Sequence, residues 1–409
     1  MSEINQGDNA FLIVSAALVM FMTPGLALFY GGMVRSKNVL GTIMQSFFIL
    51  AVVSILWAVV GYTLAFGPDV RGVIGSLDWI GLNSVGQAPF KGYAASVPHL
   101  TFMIFQAMFA VITPALITGA FAERLRFRGF LVFTVLWSLL VYSPVAHWVW
   151  GMGGWIRLLG ALDFAGGTVV HINAAAAALA AVLVVGQRKD MGSASLSPHN
   201  LPMTVLGAAI LWFGWFGFNA GSALTAGGLA ASAFVVTHLS AAAAAVSWVA
   251  VEWAHRGKPT TLGAASGCVA GLVAITPAAG FVGPMPAIAI GLAAGAICYG
   301  AVLLKWRLGY DDSLDCVGVH GAGGVTGALL TGVFASLAVN PGGANGLLLG
   351  NPGQLGVQAL AVAVTAAYSF GVSYLILRLV DATLGLRVDV EEESTGLDLT
   401  QHSESGYTF

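Results

Sequence analysis

The sequence predicts an all-α integral membrane protein with eleven transmembrane helices, and three observations predict it. Charged residues make up 8% of the 409 and hydrophobic ones 57%, with a mean hydropathy of +0.86. A soluble domain carries about 25% charged residues, so this chain could not cover its own surface with polar groups. The apolar residues are gathered into eleven long runs, each near the roughly 20 residues that a helix needs to cross the hydrocarbon core. Finally, Lys and Arg fall almost wholly into alternate loops.

The runs lie at about 10–33, 40–66, 100–121, 129–150, 164–185, 202–224, 227–253, 262–280, 285–304, 314–338 and 356–379. Lipid offers no partner to an unsatisfied backbone N–H or C=O, so each run is expected to be helical. A β-barrel would give short alternating segments instead. Met1 to Asn9 contain no Lys or Arg, so no basic segment of a signal peptide is expected and the first run is read as a true span. Loops after runs 1, 3, 5, 7 and 9, together with the C-terminal end, hold 13 of the 16 Lys and Arg; only Arg71, Lys91 and Arg157 lie on the other side. Basic residues collect on the cytoplasmic side, which puts the N-terminus outside and the C-terminus inside, as an odd number of spans requires. Residues 1–384 are then one transmembrane domain, and 385–409 a polar cytoplasmic tail bearing Glu391, Glu392 and Glu393, read as solvated, with a docking site as the alternative. With a net charge of −2 nothing points to nucleic acid, and with Cys268, Cys298 and Cys316 all in apolar runs and no CxxC, neither a metal, a cofactor nor a disulfide framework is expected.

Ionisable residues within a span are costly and mark function by default. His171, His238 and His320 lie deep in runs, and two of them share an arrangement: Asp163 precedes His171 by eight residues, as Asp312 precedes His320. Eight residues rise about 12 Å, close to the half-thickness of the core at about 15 Å. Run 5 enters from outside and run 10 from inside, so both histidines reach the midplane from opposite faces. That is the pattern of an inverted five-plus-five repeat, with halves at about 10–185 and 202–338 plus one added helix, and transporters place their substrate site between such halves. A neutral imidazole, the form that apolar surroundings favour, has one donor and one acceptor nitrogen; the pair could line a pore for a small cation or its neutral form. Asp163 is expected to cap run 5, and could also add negative potential near the outer vestibule; Asp315 is assigned a cap on run 10. His238 has no counterpart and is read as a packing or lipid-side residue. An intramembrane enzyme would need a further ligand or nucleophile at that depth, for which Cys268 or Ser266 would have to serve.

Aromatics cluster toward the outer side: Phe105 and Phe109 one turn apart, Trp148 and Trp150, and Trp212-Phe213-Gly214-Trp215-Phe216-Gly217-Phe218 followed by Asn219-Ala220-Gly221-Ser222. Ring faces there could stabilise a cation, and an apolar constriction below would stop any ion that keeps its charge.

The stretches Met22-Thr23-Pro24-Gly25-Leu26-Ala27-Leu28-Phe29-Tyr30-Gly31-Gly32, Asp163 through His171, Trp215 through Ser222, and Gly318-Val319-His320-Gly321 resemble, in order, the motifs of the ammonium transporter (Amt/Mep/Rh) family, most of all its bacterial members. The tail from Gly385 to Asp398 resembles that family's C-terminal region. The resemblance implies a homotrimer in the bacterial inner membrane with one pore per subunit. Trp150, Phe109 and Ser222, with Phe105 close by, would recruit ammonium. Phe109 and Phe218 would be a stacked gate, His171 and His320 the twin histidines, and Asp163 the supporting carboxylate. It also implies that a cytoplasmic PII-type signalling protein can block the inner mouth. Passage of neutral gas without charge movement, or sensing through the tail, are the alternatives.

Overall fold

The computed structural model describes residues 4–192 and 196–408. Among them ten helices are long and apolar enough to cross a membrane, and an eleventh apolar helix is shorter. In chain order they are α1 (Gln6–Met33), α2 (Ser36–Phe66), α3 (His99–Ile117), α4 (127–150), α5 (Gly167–Val185), α6 (Leu201–Gly221), α7 (Gly228–Arg256), α8 (Thr261–Ile275), α9 (Pro284–Leu308), α10 (Val317–Phe334) and α11 (Pro352–Leu384). Two short helices follow, α12 (Val390–Thr395) and α13 (Leu397–His402).

The run expected at 262–280 stops at Ile275 because Pro277 follows; proline has no N–H to give to the carbonyl four residues back, so the ladder cannot continue through it. The run expected at 314–338 becomes helical only at Val317, after a loop in which Asp315 takes φ 62. Helix α3 likewise ends at Ile117, four residues early, where the chain turns past Tyr30. Small residues set how closely the helices pack. A Cβ on Gly207 in α6 would lie 2.2 Å from the backbone N of Phe29 in α1, so only glycine allows that crossing.

The loops sort onto two faces. On one, Asn5 N–H donates to Ser96 O, Trp155 N–H to Gly72 O, and Leu162 N–H to the Gln358 side chain. On the other, the segments after α1, α3, α5 and α9 are tied into one polar cluster. Arg188 donates to Asp311 at 2.8 Å and to Glu123 at 3.1 Å, while Arg35 reaches Glu123 at 3.1 Å and Asp190 at 2.9 Å. Arg124, fully buried, donates to the carbonyls of Ala120, Ala122, Gly186 and Asp311. Burial works to raise the Glu123 carboxyl, but Arg188 and Arg35 outweigh it and hold it below the usual range. Burial pushes the Arg124 guanidinium down to about 10, against the pull of Asp311, which leaves it charged at neutral pH.

The tail docks on this same cluster, which corrects the solvated reading. Val388 N–H donates to Arg124 O, Lys189 N–H to the Glu393 carboxylate, and Leu40 and Gly41 N–H to the Asp398 carboxylate. Glu393 and Asp398 are only 2% and 3% exposed. Asp398 is held by backbone donors, and Glu393 by the Lys189 N–H together with the Arg387 guanidinium at 2.8 Å, partners that composition alone could not locate.

Removing one partner of a buried ion pair strands the other charge, at a cost of about 3–5 kcal/mol. Arg188→Met is therefore expected to lower the thermal midpoint in detergent markedly, since it leaves Asp311 and Glu123 short of a partner. Asp190→Asn, on a partner 40% exposed, should cost under about 1 kcal/mol. Equal midpoints for the two variants would refute this.

Candidate pore and outer vestibule

Asp163 sits in the loop between α4 and α5, and its carboxylate accepts four backbone N–H groups, from Gly166, Gly167, Thr168 and Val169, at 2.6–3.1 Å. That turn requires φ 115 at residue 166, a conformation that suits glycine. The chain then makes a widened i→i+5 turn, Gly167–Ile172, which carries His171. Near the other end of the pore the arrangement recurs. Asp312 accepts the N–H groups of Cys316 and Val317 at 3.1 and 2.7 Å, and a second widened turn, Val317–Gly321, carries His320. Widened turns also occur at Trp57–Gly61 and Ser138–Tyr142, away from this cavity, so what sets these two apart is the capping aspartate ahead of each and the histidine within it. Asp315 is not the cap: its side chain pairs with Lys305 at the end of α9, and Asp312 does the capping. Burial pushes the Asp312 carboxyl up to about 6, with Lys305 opposing. Burial likewise raises the Asp163 carboxyl, against its four N–H donors.

These two turns bring the histidines together. Nδ1 of His171 and Nδ1 of His320 are 3.3 Å apart, with the rings inclined by 17°. If the bond joins two neutral rings, one Nδ1 donates and the other accepts, so the rings hold opposite tautomers and their Nε2 atoms are one acceptor and one donor. His171 Nε2 is buried without a hydrogen-bond partner among the described residues. The Trp215 ring stacks on His171 at 5.4 Å, itself held by an indole N–H donated to Thr276 Oγ1 at 2.9 Å.

Outside this pair lies a cavity of about 470 Å³, lined among others by Phe109, Trp150, Asp163 and Ser222. Trp150 meets Phe109 edge to face at 5.7 Å and donates its indole N–H to the Asp163 carbonyl at 2.8 Å. Ser222 donates to Phe218 O at 2.8 Å, which leaves its lone pairs toward other donors. Phe109 and Phe218 close the floor with ring centroids 4.3 Å apart, tilted at 41° rather than stacked. Phe105 is fully buried behind Phe109, at 5.0 Å, and is not among the residues lining the cavity. Beneath the two phenylalanines are two chambers of about 10 Å³ each. One is lined by Ile112, Val170, His171, Trp215 and Phe218, the other by Tyr30, Met33, Ser266 and Asp315, and His320 borders both. Each has room for about one water-sized molecule. His238 lies on the exposed side of α7 against Trp212, away from this path.

Of the residues expected from sequence, the structure brings Trp150, Phe109, Ser222 and Asp163 to one cavity, Phe218 to its floor, and His171 and His320 to each other. The capping role of Asp312 was missed, although its eight-residue spacing from His320 was its signal.

The sequence model of the Ammonium Transporter Family matches residues 10–407. The chain belongs to this family. It is 56% identical over 405 residues to an ammonium transporter of Bacillus subtilis, covering 99% of each chain, and 48% identical to the ammonium transporter Amt1 of Archaeoglobus fulgidus, covering 99% of this chain and 100% of that one. Among solved structures, Saccharomyces cerevisiae Mep2 superposes with a TM-score of 0.90 at 37% identity, covering 95% of this chain and 89% of that one. A sensor Amt protein gives 0.89 at 32%, covering 97% and 98%. This ammonium transporter family member is thus a multi-pass membrane protein with the helical Amt/Mep fold.

Proposed function

We propose that the chain recruits ammonium in the vestibule at Trp150, Phe109 and Ser222, strips its proton at Phe109 and Phe218, and conducts ammonia past His171 and His320. The observation that carries this reading is the histidine pair, joined Nδ1 to Nδ1 beneath an aromatic floor. Ring faces attract any small cation, so they favour ammonium and potassium alike. Chambers of about 10 Å³ beneath touching rings leave no room for a hydration shell. Only an ion that can give up a proton then passes as a neutral molecule. The proton travels separately along the histidine pair, which makes transport electrogenic. Phe105 acts by holding Phe109 in place, and Asp163 by ordering the turn under Trp150.

The matched capping carboxylates and widened turns support the inverted five-plus-five repeat, with the N-terminus outside and the tail in the cytoplasm. A homotrimer with one pore per subunit in the inner membrane, and a PII-type signalling protein at the inner mouth beside the docked tail, complete the proposal.

The test is charge movement in proteoliposomes on a solid-supported membrane, after an ammonium jump and then a potassium jump. A transient with ammonium alone is expected. No transient, with a lumen that still alkalinises, would replace this reading by passage of neutral gas.

A further inference from the structure

Gln106 lies in α3 three residues before Phe109 and four after Phe102, and all three line the vestibule. Positions three and four apart share a helix face, so the amide is carried on the aromatic wall itself. The polar side chains around it are already held. Tyr93 donates to Phe66 O and accepts from Met152 N–H, Arg157 donates to Trp150 O, and Gln354 to Gly160 O. Asp163 has its four backbone donors and Ser222 its bond to Phe218. Gln106 alone among these makes no hydrogen bond to any described residue, and its Oε1 is buried without a partner. A buried acceptor with no donor is costly, and such a group in a folded protein calls for an explanation.

Resting on the ammonium reading above, we propose that Gln106 is a specificity-determining ligand for the recruited cation. Its side-chain oxygen accepts an N–H of ammonium while the ion lies against Phe109 and Trp150. The amide has no protein bond to break, so it can turn its oxygen from the wall into the cavity when the ion arrives. A neutral acceptor suits the task. It replaces one of the waters that ammonium sheds, and it adds no charge that would hold every cation alike. The acceptor also rewards a cation with a directed N–H, which ring faces do not.

Dose–response of the ammonium transient tests this. Gln106→Leu keeps the bulk and removes the acceptor; the half-saturating ammonium concentration is expected to rise about tenfold, within the range for a hydrogen bond to a charged group, with a smaller effect on the maximal transient. Gln106→Glu is expected to do the reverse, lowering half-saturation and the maximal transient, and to let potassium compete. Unchanged half-saturation in Gln106→Leu would overturn the assignment while leaving the ammonium reading intact. Should that variant fail to reach the membrane, Gln106→Glu decides, and an unchanged half-saturation there overturns it equally. A wild-type protein with no ammonium transient would sink the transport reading first, and this ligand with it.

Discussion

With His171→Ala and His320→Ala combined, the ammonium-evoked charge transient is expected to fall at least a hundredfold, to the level of empty liposomes. Of the residues around the upper chamber, only the two imidazoles and the Trp215 indole carry side-chain nitrogen or oxygen, and the indole N–H is already given to Thr276. Without the rings, a proton released at Phe109 and Phe218 has no ring nitrogen left to accept it in the upper chamber. A polar group left unpartnered in such surroundings costs several kcal/mol, and each 1.36 kcal/mol added to a barrier is tenfold in rate. Size-exclusion profiles of the variant in detergent should match wild type, because the Nδ1–Nδ1 bond is a single contact and both turns are anchored independently by Asp163 and Asp312. Single His171→Ala should already lose most of the transient, since a proton relay needs both rings. Undiminished and still selective current in that single variant would end the relay reading. In the wild-type protein, alkalinisation of the lumen without current would leave the histidines as a lining for ammonia only.

The helical spans were legible because apolar runs near 20 residues have few other uses, and the Asp–His pairs because the same spacing occurs in two runs, although Asp163 and Asp312 lie in loops, so the eight residues are not one helical rise. The alternation of Lys and Arg anticipated which loops would gather: Arg35, Arg124 and Arg188 meet in one cluster. Other features depend on contacts that no periodicity encodes. The i→i+5 turns at His171 and His320 have no composition of their own. Phe105 and Phe109 look alike in sequence, being one turn apart on one face, yet the roughly 40° by which four residues overshoot a full turn separates a backing ring from a lining one. The tail was misread because Glu393 and Asp398 look like solvated charges until the backbone N–H groups of Lys189, Leu40 and Gly41 are brought against them. Gln106 has no signature in the sequence, because one amide in an apolar helix stands out only when its neighbours' hydrogen bonds are known to be taken.

Asp163→Ala is expected to abolish transport and to reduce the amount of folded protein, the larger of the two structural losses anticipated for the pore. The carboxylate satisfies four N–H groups at the start of α5, where the backbone is buried. Leaving them open would cost about 1–3 kcal/mol each before relaxation, against a total stability of about 5–15 kcal/mol. The same loop accepts the Trp150 indole through the Asp163 carbonyl, so a shifted turn moves the vestibule wall as well as His171. Asp163→Asn separates the two effects. It keeps the shape and one acceptor oxygen, but its NH2 faces N–H groups that also donate. Folded protein should therefore return in part, while the ammonium transient stays at least tenfold below wild type. Normal yield and normal current in Asp163→Ala would mean that the turn holds itself, and that this carboxylate organises neither the helix nor the pore.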